Sequence, residues 1–351
     1  MTLTLRHDWT YDEVEALYHQ PFLDLIYQAQ QLHRQYFEPN AIQVSTLQNI
    51  KVGGCPEDCH WCGQSVHHDV GVAPSPLTDL EAVLKGAQAA KDSGATRYCL
   101  AASWRGPTDS QLTRVIEMVK GVKALGLETC ITLGKLRPQQ ASALKAAGLD
   151  YYNHNLESSE EYFSQVSTTR TYADRLNTLE EVRAAGINVC SGGILGMGET
   201  KEDRLKLLIT LANQPAHPQS VPMNHLVPVA GTPLENAPPV DPIEYVRCVA
   251  LARILMPKAY VRLSGGRRQM SALMQTLCFI AGANSIHYGG PNLLVTPNVD
   301  VSDDQALFQS LGLVPESLLS ESACHLSTPA ALETAPQTAR IKTIPTEVVL
   351  G

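Results

Sequence analysis

The sequence lacks the features that would tie it to nucleic acids or to a membrane. Lys and Arg number 27 against 35 Asp and Glu, a formal net charge of -8. Polyanion binding usually requires a basic face, so we expect no nucleic-acid partner. No run approaches the roughly 18 uncharged apolar residues of a membrane span, and acids occupy the N-terminal stretch where a signal peptide would be apolar. We therefore expect a cytoplasmic protein that acts on small molecules, with no membrane partner.

The chain also lacks the features of a disulfide scaffold. Its 351 residues include 9 cysteines, an odd number, and disulfides are rare in a reducing compartment. Apolar residues make up 44% of the chain and charged residues 18%, which allows a large buried core. The cysteines of this globular protein are therefore expected to bind metal or to perform thiol chemistry.

The N-terminal region predicts a helical extension ahead of the main domain. Thr10 and Glu13 have the spacing of a capping box, and an apolar-periodic stretch follows as far as Phe37. Pro21 should divide this stretch into two helices, because proline interrupts helical hydrogen bonding. We assign residues 1–40 to the extension.

From residue 41 onward, short β-prone runs alternate with helical runs that repeatedly end at a glycine. The β-prone runs are centred near Val44, Tyr98, Cys130, Asn153, Val189, Met223, Val261 and Ile286. Eight βαβ-type units, with no glycine-rich dinucleotide motif in the first, favour an α/β fold closed into a (β/α)8 TIM-type barrel. We assign residues 41–315 to the barrel. Residues 316–351, rich in small polar residues and proline, predict a flexible, mostly disordered C-terminal tail.

Three cysteines stand close together immediately after the first β-prone run. Cys55, Cys59 and Cys62 have the spacing Cys-x3-Cys-x2-Cys. Three thiolates leave one iron of a cuboidal 4Fe-4S cluster without a protein ligand, free to bind a substrate or cofactor. On spacing alone, a zinc site that recruits His60 or a distant fourth ligand is the alternative. The aromatic Trp61 just before the third cysteine favours the cluster.

Three further cysteines, Cys99, Cys130 and Cys190, lie one to a predicted strand. A lone buried cysteine usually packs as a small apolar residue, and packing is the alternative for each of them. Side chains alternate faces along a strand, so Arg97 shares a face with Cys99 and Glu128 shares one with Cys130. Charge in a barrel interior is costly unless it is paired or binds something. The pattern therefore predicts a second, thiol-bearing site inside the barrel.

The cysteine loop is similar to the signature of the radical S-adenosylmethionine (SAM) family, in which an aromatic residue precedes the third cysteine. From about Ile42 to Leu313, the chain also resembles one branch of that family, the biotin synthases. The segments that carry the resemblance are CPEDCHWCGQS, YYNHNLESS, TRTYADRLNTLEEVRAAG, VCSGGILGMGET, SVPMNHLVPVAGTPL, AYVRLSGGR and GANSI.

The resemblance implies an activity and two clusters. A 4Fe-4S cluster would bind SAM at its open iron, and electron transfer would release a 5'-deoxyadenosyl radical. A 2Fe-2S cluster would donate sulfur to dethiobiotin and form biotin, a sulfurtransferase reaction that consumes two SAM molecules. By motif match, the implied ligands are Cys55, Cys59 and Cys62 for the first cluster, and Cys99, Cys130, Cys190 and Arg262 for the second.

The resemblance also assigns residues around SAM and the substrate, although asparagines at strand ends are often only turn or cap residues. The implied SAM-binding residues are Trp61, Asn155, Glu157 and Arg175, and the implied substrate-binding residues are Asn153, Asn155 and Asn224. This sequence departs from the family at four places. Trp61 and Gly63 replace the usual tyrosine and proline, Glu157 replaces an aspartate, and His287 replaces a phenylalanine near the substrate.

The partners implied by the resemblance are a flavodoxin-type electron donor, the iron-sulfur assembly machinery and a second copy of the chain in a homodimer. Two other functions stay open at this point. One is a different radical SAM reaction in which the strand cysteines only pack, and the other is a non-catalytic iron-sulfur or zinc sensor. Cys248 and Cys278 lie in predicted helices, where we expect core packing, and Cys324 lies in the predicted tail.

Overall fold

The N-terminal extension is helical, as its sequence predicts, in a computed structural model that describes residues 5–289, 292–293 and 296–317. The Thr10 side chain accepts a hydrogen bond from the Glu13 N–H and the Glu13 carboxylate bonds back, which completes the capping box. Helix α1 spans Tyr11–Tyr18 and helix α2 spans Phe22–Tyr36. Pro21 stands between them, so the predicted division is confirmed.

A closed sheet of parallel strands forms the centre of the molecule. Its strands are β1 (Ala41–Lys51), β2 (Arg97–Ala102), β3 (Glu128–Thr132), β4 (Tyr151–Asn153), β5 (Asn188–Cys190), β6 (Gly193–Leu195), β7 (Ser220–His225), β8 (Tyr260–Leu263) and β9 (Ser285–His287). Neighbours pair in the order β1-β2-β3-β4-β5-β7-β8-β9, β9 pairs again with β1, and β6 continues alongside β7. All eight predicted strand centres fall within these strands, and the predicted TIM-type barrel is confirmed.

Helices cover the outside of the barrel. They are α3 (Leu80–Asp92), α4 (Asp109–Ala124), α5 (Pro138–Ala146), α6 (Glu160–Val166), α7 (Tyr172–Ala184), α8 (Lys201–Ala212), α9 (Pro242–Leu255), α10 (Ala272–Ile280) and α11 (Val301–Leu311). The glycines that terminate helices have positive φ, as a left-handed C-cap requires; they are Gly94, Gly126, Gly148, Gly186 and Gly282. Cys248 in α9 and Cys278 in α10 are buried in the aliphatic core, as predicted. Among the described residues, no helix is both long and apolar enough to cross a membrane.

The last described residues lie at the amino end of the barrel. After a short hairpin of β10 (Asn292–Leu293) and β11 (Thr296–Pro297), strand β12 (Val314–Pro315) pairs with the start of β1. Glu316 then accepts a hydrogen bond from the Tyr260 hydroxyl at 2.9 Å. The predicted tail, with Cys324, otherwise lies outside the described residues, so the division at 316 stays a prediction.

Charged and aromatic side chains fill the lower part of the lumen. Arg97 is fully buried, and its Nε and Nη2 donate to Glu128 Oε2 at 2.9 and 2.8 Å. The guanidinium also lies 3.6 Å from the centre of the Tyr151 ring. The polar interior predicted from strand alternation is therefore present and internally paired, and it forms the floor beneath the strand cysteines.

Candidate active site

A cavity of about 180 Å³ opens at the carboxyl end of the barrel strands, where enzymes of this architecture place their active sites. It brings together most of the residues singled out in the sequence: Trp61, Cys62, Cys99, Cys130, Asn153, Asn155, Glu157, Asn224 and Arg262. Cys55, Cys59, Cys190 and Arg175 do not line the cavity, but each adjoins a residue that does. The two predicted cysteine sets thus meet around one space.

The first cysteine set lies on a tight loop after β1. Gly53 has φ 67°, and a Cβ there would lie 2.9 Å from the Ala73 carbonyl oxygen, so this position requires glycine. The Cys55 N–H donates to the Gln64 carbonyl at 2.9 Å, and the Cys62 N–H donates to the Cys59 carbonyl at 3.0 Å. These backbone bonds fold the loop so that its three cysteines, which form no disulfide, occupy one turn.

The electrostatics of this loop suit a group that replaces thiol protons. Burial raises the pKa of the Cys55 and Cys59 thiols, and it raises the pKa of Cys62 to about 12. Arg170 opposes this effect at Cys55 and Cys59, and its Nη2 lies 2.9 Å from the Glu57 carboxylate. The unliganded thiols are therefore protonated at neutral pH, and cluster binding would release their protons.

The zinc alternative finds no support in the side chains around the loop. Within the ranges that the structure describes, no group of three or more His, Cys, Asp or Glu side chains is placed to hold a single metal ion. An iron-sulfur cluster makes a different demand, since each thiolate binds a different iron atom. The three thiols and the neighbouring cation fit a cluster with thiolate ligands.

The second cysteine set lies inside the barrel. Cys99 on β2 is in register with Cys130 on β3, and Cys190 on β5 is in register with Asn153 on β4. The neighbouring Cys130 thiol, together with the Arg262 guanidinium, lowers the pKa of Cys99 and of Cys190, whereas the two neighbouring thiols raise the pKa of Cys130. The three thiols therefore lie close enough together to influence one another, as a ligand set for one group would.

Packing alone does not account for these cysteines. They form a small buried group with Tyr151, touched by Leu47, that is separate from the aliphatic core. Strand cysteines that only filled space would be expected among the branched aliphatic side chains of that core.

Arg262 supplies a buried cation beside the three thiols. It is 1% exposed, and its Nε donates to Ser285 Oγ at 2.9 Å while Nη2 donates to Gln43 Oε1 and Ser45 Oγ at 3.1 Å. All three partners are neutral, and no described carboxylate forms an ion pair with this guanidinium. A buried cation without an acid is costly, so the site fits an anionic group held by thiolates.

Glu157 lines the cavity on the side of the cysteine loop, and Arg175 lies behind it. Glu157 is 8% exposed, and burial raises the pKa of its carboxyl, an effect that Arg175 opposes. Its backbone has φ 70°, a left-handed conformation that is unusual for a residue other than glycine. Arg175 reaches the cavity only through its contacts with Glu157 and with the Asn155 carbonyl. Its assignment to SAM stays a prediction.

The three predicted asparagines are fixed in the cavity wall by hydrogen bonds. Asn153 Nδ2 lies 3.3 Å from both Asn155 Oδ1 and the Cys190 Sγ. Asn224 accepts from the Gly265 N–H at 2.9 Å and donates to the Gly193 carbonyl at 3.0 Å. These side chains are therefore oriented before any ligand arrives, and their assignment to SAM and the substrate stays a prediction.

The close approach of β5, β6 and β7 in this wall depends on glycine. A Cβ on Gly192 would collide with the Pro222 carbonyl oxygen, and a Cβ on Gly193 would lie 2.5 Å from the Glu157 carbonyl oxygen. The two adjacent glycines are visible in the sequence, but nothing in the sequence around them predicted this close approach of the strands.

A buried carboxylate organises the turn after β6, which the sequence left without an assigned role. Glu199 accepts from the Gly196 N–H at 2.8 Å and the Met197 N–H at 2.7 Å. Met197 belongs to a small apolar group against which Trp61 packs. Trp61 therefore has an apolar support behind it where it lines the cavity, and its assignment to SAM stays a prediction.

Further residues that line the cavity include Leu47, Thr132, Ile194 and Pro222, which carried no signal of their own in the sequence. Ser264 also lines it, and strand alternation places Ser264 on the same face as Arg262. Leu47 and Thr132 lie in register with, or two residues beyond, a predicted ligand, so strand alternation could have found them.

Comparison with known proteins agrees with this geometry. Residues 49–211 match the Radical SAM superfamily model, and residues 222–314 match the Biotin and Thiamin Synthesis associated domain. The biotin synthase of Rhodopseudomonas palustris (strain BisB5) is 58% identical over 315 residues, 90% of this chain and 92% of that protein. The biotin synthase of Thioalkalivibrio sulfidiphilus (strain HL-EbGR7) is 59% identical over 311 residues, 89% and 91% of the two chains.

Solved structures support the fold. Methylornithine synthase (PylB) superposes with a TM-score of 0.74 at 18% identity, covering 89% of this chain and 96% of its own. The FeFe-hydrogenase maturase HydG from Carboxydothermus hydrogenoformans gives a TM-score of 0.74 at 17% identity, covering 88% of this chain and 76% of its own. With a radical SAM barrel, a loop of three free thiols and the extent of sequence identity all in agreement, this chain belongs to the biotin synthase family of radical SAM enzymes.

Proposed function

We propose that this enzyme converts dethiobiotin to biotin by radical insertion of a sulfur atom. One observation carries the proposal: the strand thiols of Cys99 and Cys130, the cation of Arg262 and the first cysteine loop all border a single cavity. A radical SAM enzyme that used its strand cysteines only for packing would have no need of an unpaired buried cation beside them.

The first set of thiols would hold the 4Fe-4S cluster. Cys55, Cys59 and Cys62 supply three thiolates on one turn. When bound, this cluster delivers the electron that cleaves SAM into methionine and a 5'-deoxyadenosyl radical. Trp61 would pack against SAM, and the Glu157 carboxylate would accept hydrogen bonds from its ribose hydroxyls, with Arg175 keeping that carboxylate in place from behind.

The second set would hold the 2Fe-2S cluster, which when bound supplies the sulfur atom. Cys99, Cys130 and Cys190 offer three thiolates on adjacent or nearly adjacent strands. Arg262 would complete the ligand set by analogy with the family. Because guanidinium is normally protonated and has no free lone pair, its simplest contribution is to neutralise the thiolate-rich group.

The substrate would lie between the two sets. Asn153 and Asn224 offer both donors and acceptors, which suits the flat urea group of dethiobiotin, and Asn155 lies where it can contact either SAM or substrate. The paired charges of Arg97 and Glu128 fill the lumen below.

The partners follow from family membership. We propose a flavodoxin-type electron donor, reconstitution by the iron-sulfur assembly machinery, a homodimeric state and a cytoplasmic location.

The deciding experiment is anaerobic reconstitution with iron and sulfide, followed by an assay of dethiobiotin conversion in the presence of SAM and a reductant. Iron is counted before and after turnover. We expect biotin, 5'-deoxyadenosine and loss of iron from the second site. SAM cleavage that does not respond to dethiobiotin would indicate another radical SAM reaction, and cluster binding without SAM cleavage would indicate a sensor.

A further inference from the structure

His287 is a buried histidine in the cavity wall that the reaction described above does not use. It ends strand β9, lines the cavity and is 5% exposed. Its Nδ1 is shielded from solvent and from the open cavity, beside the Ser45 carbonyl, which also accepts a hydrogen bond from the Tyr288 N–H at 2.7 Å. Nε2 is therefore the ring nitrogen left for a ligand in the cavity. A buried polar group without a partner costs stability, whereas a phenyl ring would fill the same space without that cost.

The imidazole is neutral in its surroundings. Burial holds the pKa of His287 well below its usual value, and the guanidinium groups of Arg262 and Arg267 act in the same direction. Arg267 itself pairs with Asp304, so no acid is left to favour the imidazolium. A neutral imidazole has one N–H donor and one acceptor, and either nitrogen can carry the proton.

The position of His287 sets it across the barrel from Asn153, whereas Asn224 on β7 is two strands away. In the closed order β1-β2-β3-β4-β5-β7-β8-β9, strands β4 and β9 are four positions apart, so Asn153 and His287 face each other across the lumen. Apolar side chains, including Leu47 and Leu226, line the space between these two polar walls. The cavity therefore suits a molecule with a polar group at each end and an apolar middle.

We propose that His287 is a specificity-determining residue that donates a hydrogen bond to the carboxylate of the substrate. This inference rests on the proposed function, because dethiobiotin has a urea group at one end and a carboxylate at the other. The amides of the asparagines match the urea, which both donates and accepts. A carboxylate only accepts, and it selects the imidazole tautomer whose N–H points toward it.

The test compares the acid with an ester that lacks the charge. Binding of dethiobiotin and of its methyl ester is measured by equilibrium dialysis on the reconstituted enzyme with SAM and without reductant. We expect His287→Phe to weaken binding of the acid about tenfold, the lower end for a hydrogen bond to an ionised group, and to change ester binding by less than about twofold. His287→Gln, which keeps an N–H donor, should recover part of the loss.

His33→Phe serves as the matched control. His33 is also a buried histidine with unpartnered ring nitrogens, but it lies in α2 and does not line the cavity, so its removal should leave both affinities unchanged. Equal weakening of acid and ester in His287→Phe, or an unchanged preference for the acid, overturns the proposal. If an iron count shows that His287→Phe does not assemble its clusters, His287→Gln and His287→Asn are tested instead. In those variants the ratio of the affinity for the acid to the affinity for the ester decides whether His287 recognises the carboxylate. Failure of the parent enzyme to bind either ligand refutes the proposed function instead.

Discussion

Arg175 and Glu157 form a buried ion pair beside the cavity, with Nη1 of the arginine 3.5 Å from Oε1 of the glutamate. The same Nη1 donates to the Asn155 carbonyl at 2.6 Å. The family resemblance assigns both side chains to SAM, whereas in the structure they also contact each other. Removal of the glutamate charge would therefore affect SAM directly and would also leave a buried cation without its acid.

Replacement of Glu157 should weaken SAM binding. If its carboxylate accepts hydrogen bonds from the ribose hydroxyls, Glu157→Gln should cost about 1.5 to 3 kcal/mol, or roughly a ten- to hundredfold loss of affinity. Glu157→Asp should cost less, because the charge remains and only its reach changes. SAM binding is measured without reductant, with Glu160→Gln, an exposed acid at the start of α6, as the control. Unaltered binding by Glu157→Gln would refute the ribose contact.

Replacement of Cys55, Cys59 or Cys62 by serine should abolish reductive cleavage of SAM. Each change leaves the 4Fe-4S cluster with two protein thiolates. The measurement is 5'-deoxyadenosine formation under reducing conditions. Cys278→Ala, which removes a buried thiol from α10, should cleave SAM at the parent rate. Deoxyadenosine at the parent rate in any serine variant would contradict the ligand assignment.

Replacement of Cys99, Cys130 or Cys190 by alanine should have a different outcome. These thiols would hold the sulfur source and not the radical initiator, so SAM cleavage should persist while biotin formation stops. In the parent enzyme, a 2Fe-2S cluster rebuilt with labelled sulfide should pass its label to biotin. Recovery of unlabelled biotin from labelled enzyme would rule out this cluster as the donor.

The stability of the protein should depend on the protonation of His33. Burial, with Arg253 and Arg34 beside the ring, lowers the pKa of His33 to about 4, against about 6.5 in an unfolded chain. Between these values the unfolded state binds more protons, so stability falls as the pH is lowered. The free energy of unfolding of the parent, relative to His33→Phe, should fall by about 2 kcal/mol from pH 7 to pH 5. Urea titrations of both proteins at the two pH values check this, and parallel curves would contradict it.

Strand positions were predictable because each strand carries its own signal. The short β-prone runs around Tyr98 and Val261 fall within β2 and β8, and the capping box of Thr10 fixes the start of α1. These signals are local, since they depend on residues a few positions apart along the chain.

The shape of the site was less predictable, because it depends on the stagger between strands. Cys130 is level with Cys99, but Cys190 is level with Asn153 and Ser220, and no single strand encodes that offset. For this reason the sequence identified His287 as a departure from its family without indicating that it faces Asn153. For the same reason, the sequence did not indicate that Arg175 lies behind Glu157 and outside the cavity.

The left-handed backbone of Glu157 limits how this position can change. Apart from glycine, asparagine and aspartate adopt positive φ most readily, and glutamate does so at a higher backbone cost. In a library of all replacements at Glu157, each variant would have to tolerate this backbone conformation and also keep a negative charge. Aspartate meets both requirements at the lower cost, so the exchange between the family's aspartate and this chain's glutamate is the one that the turn permits most easily.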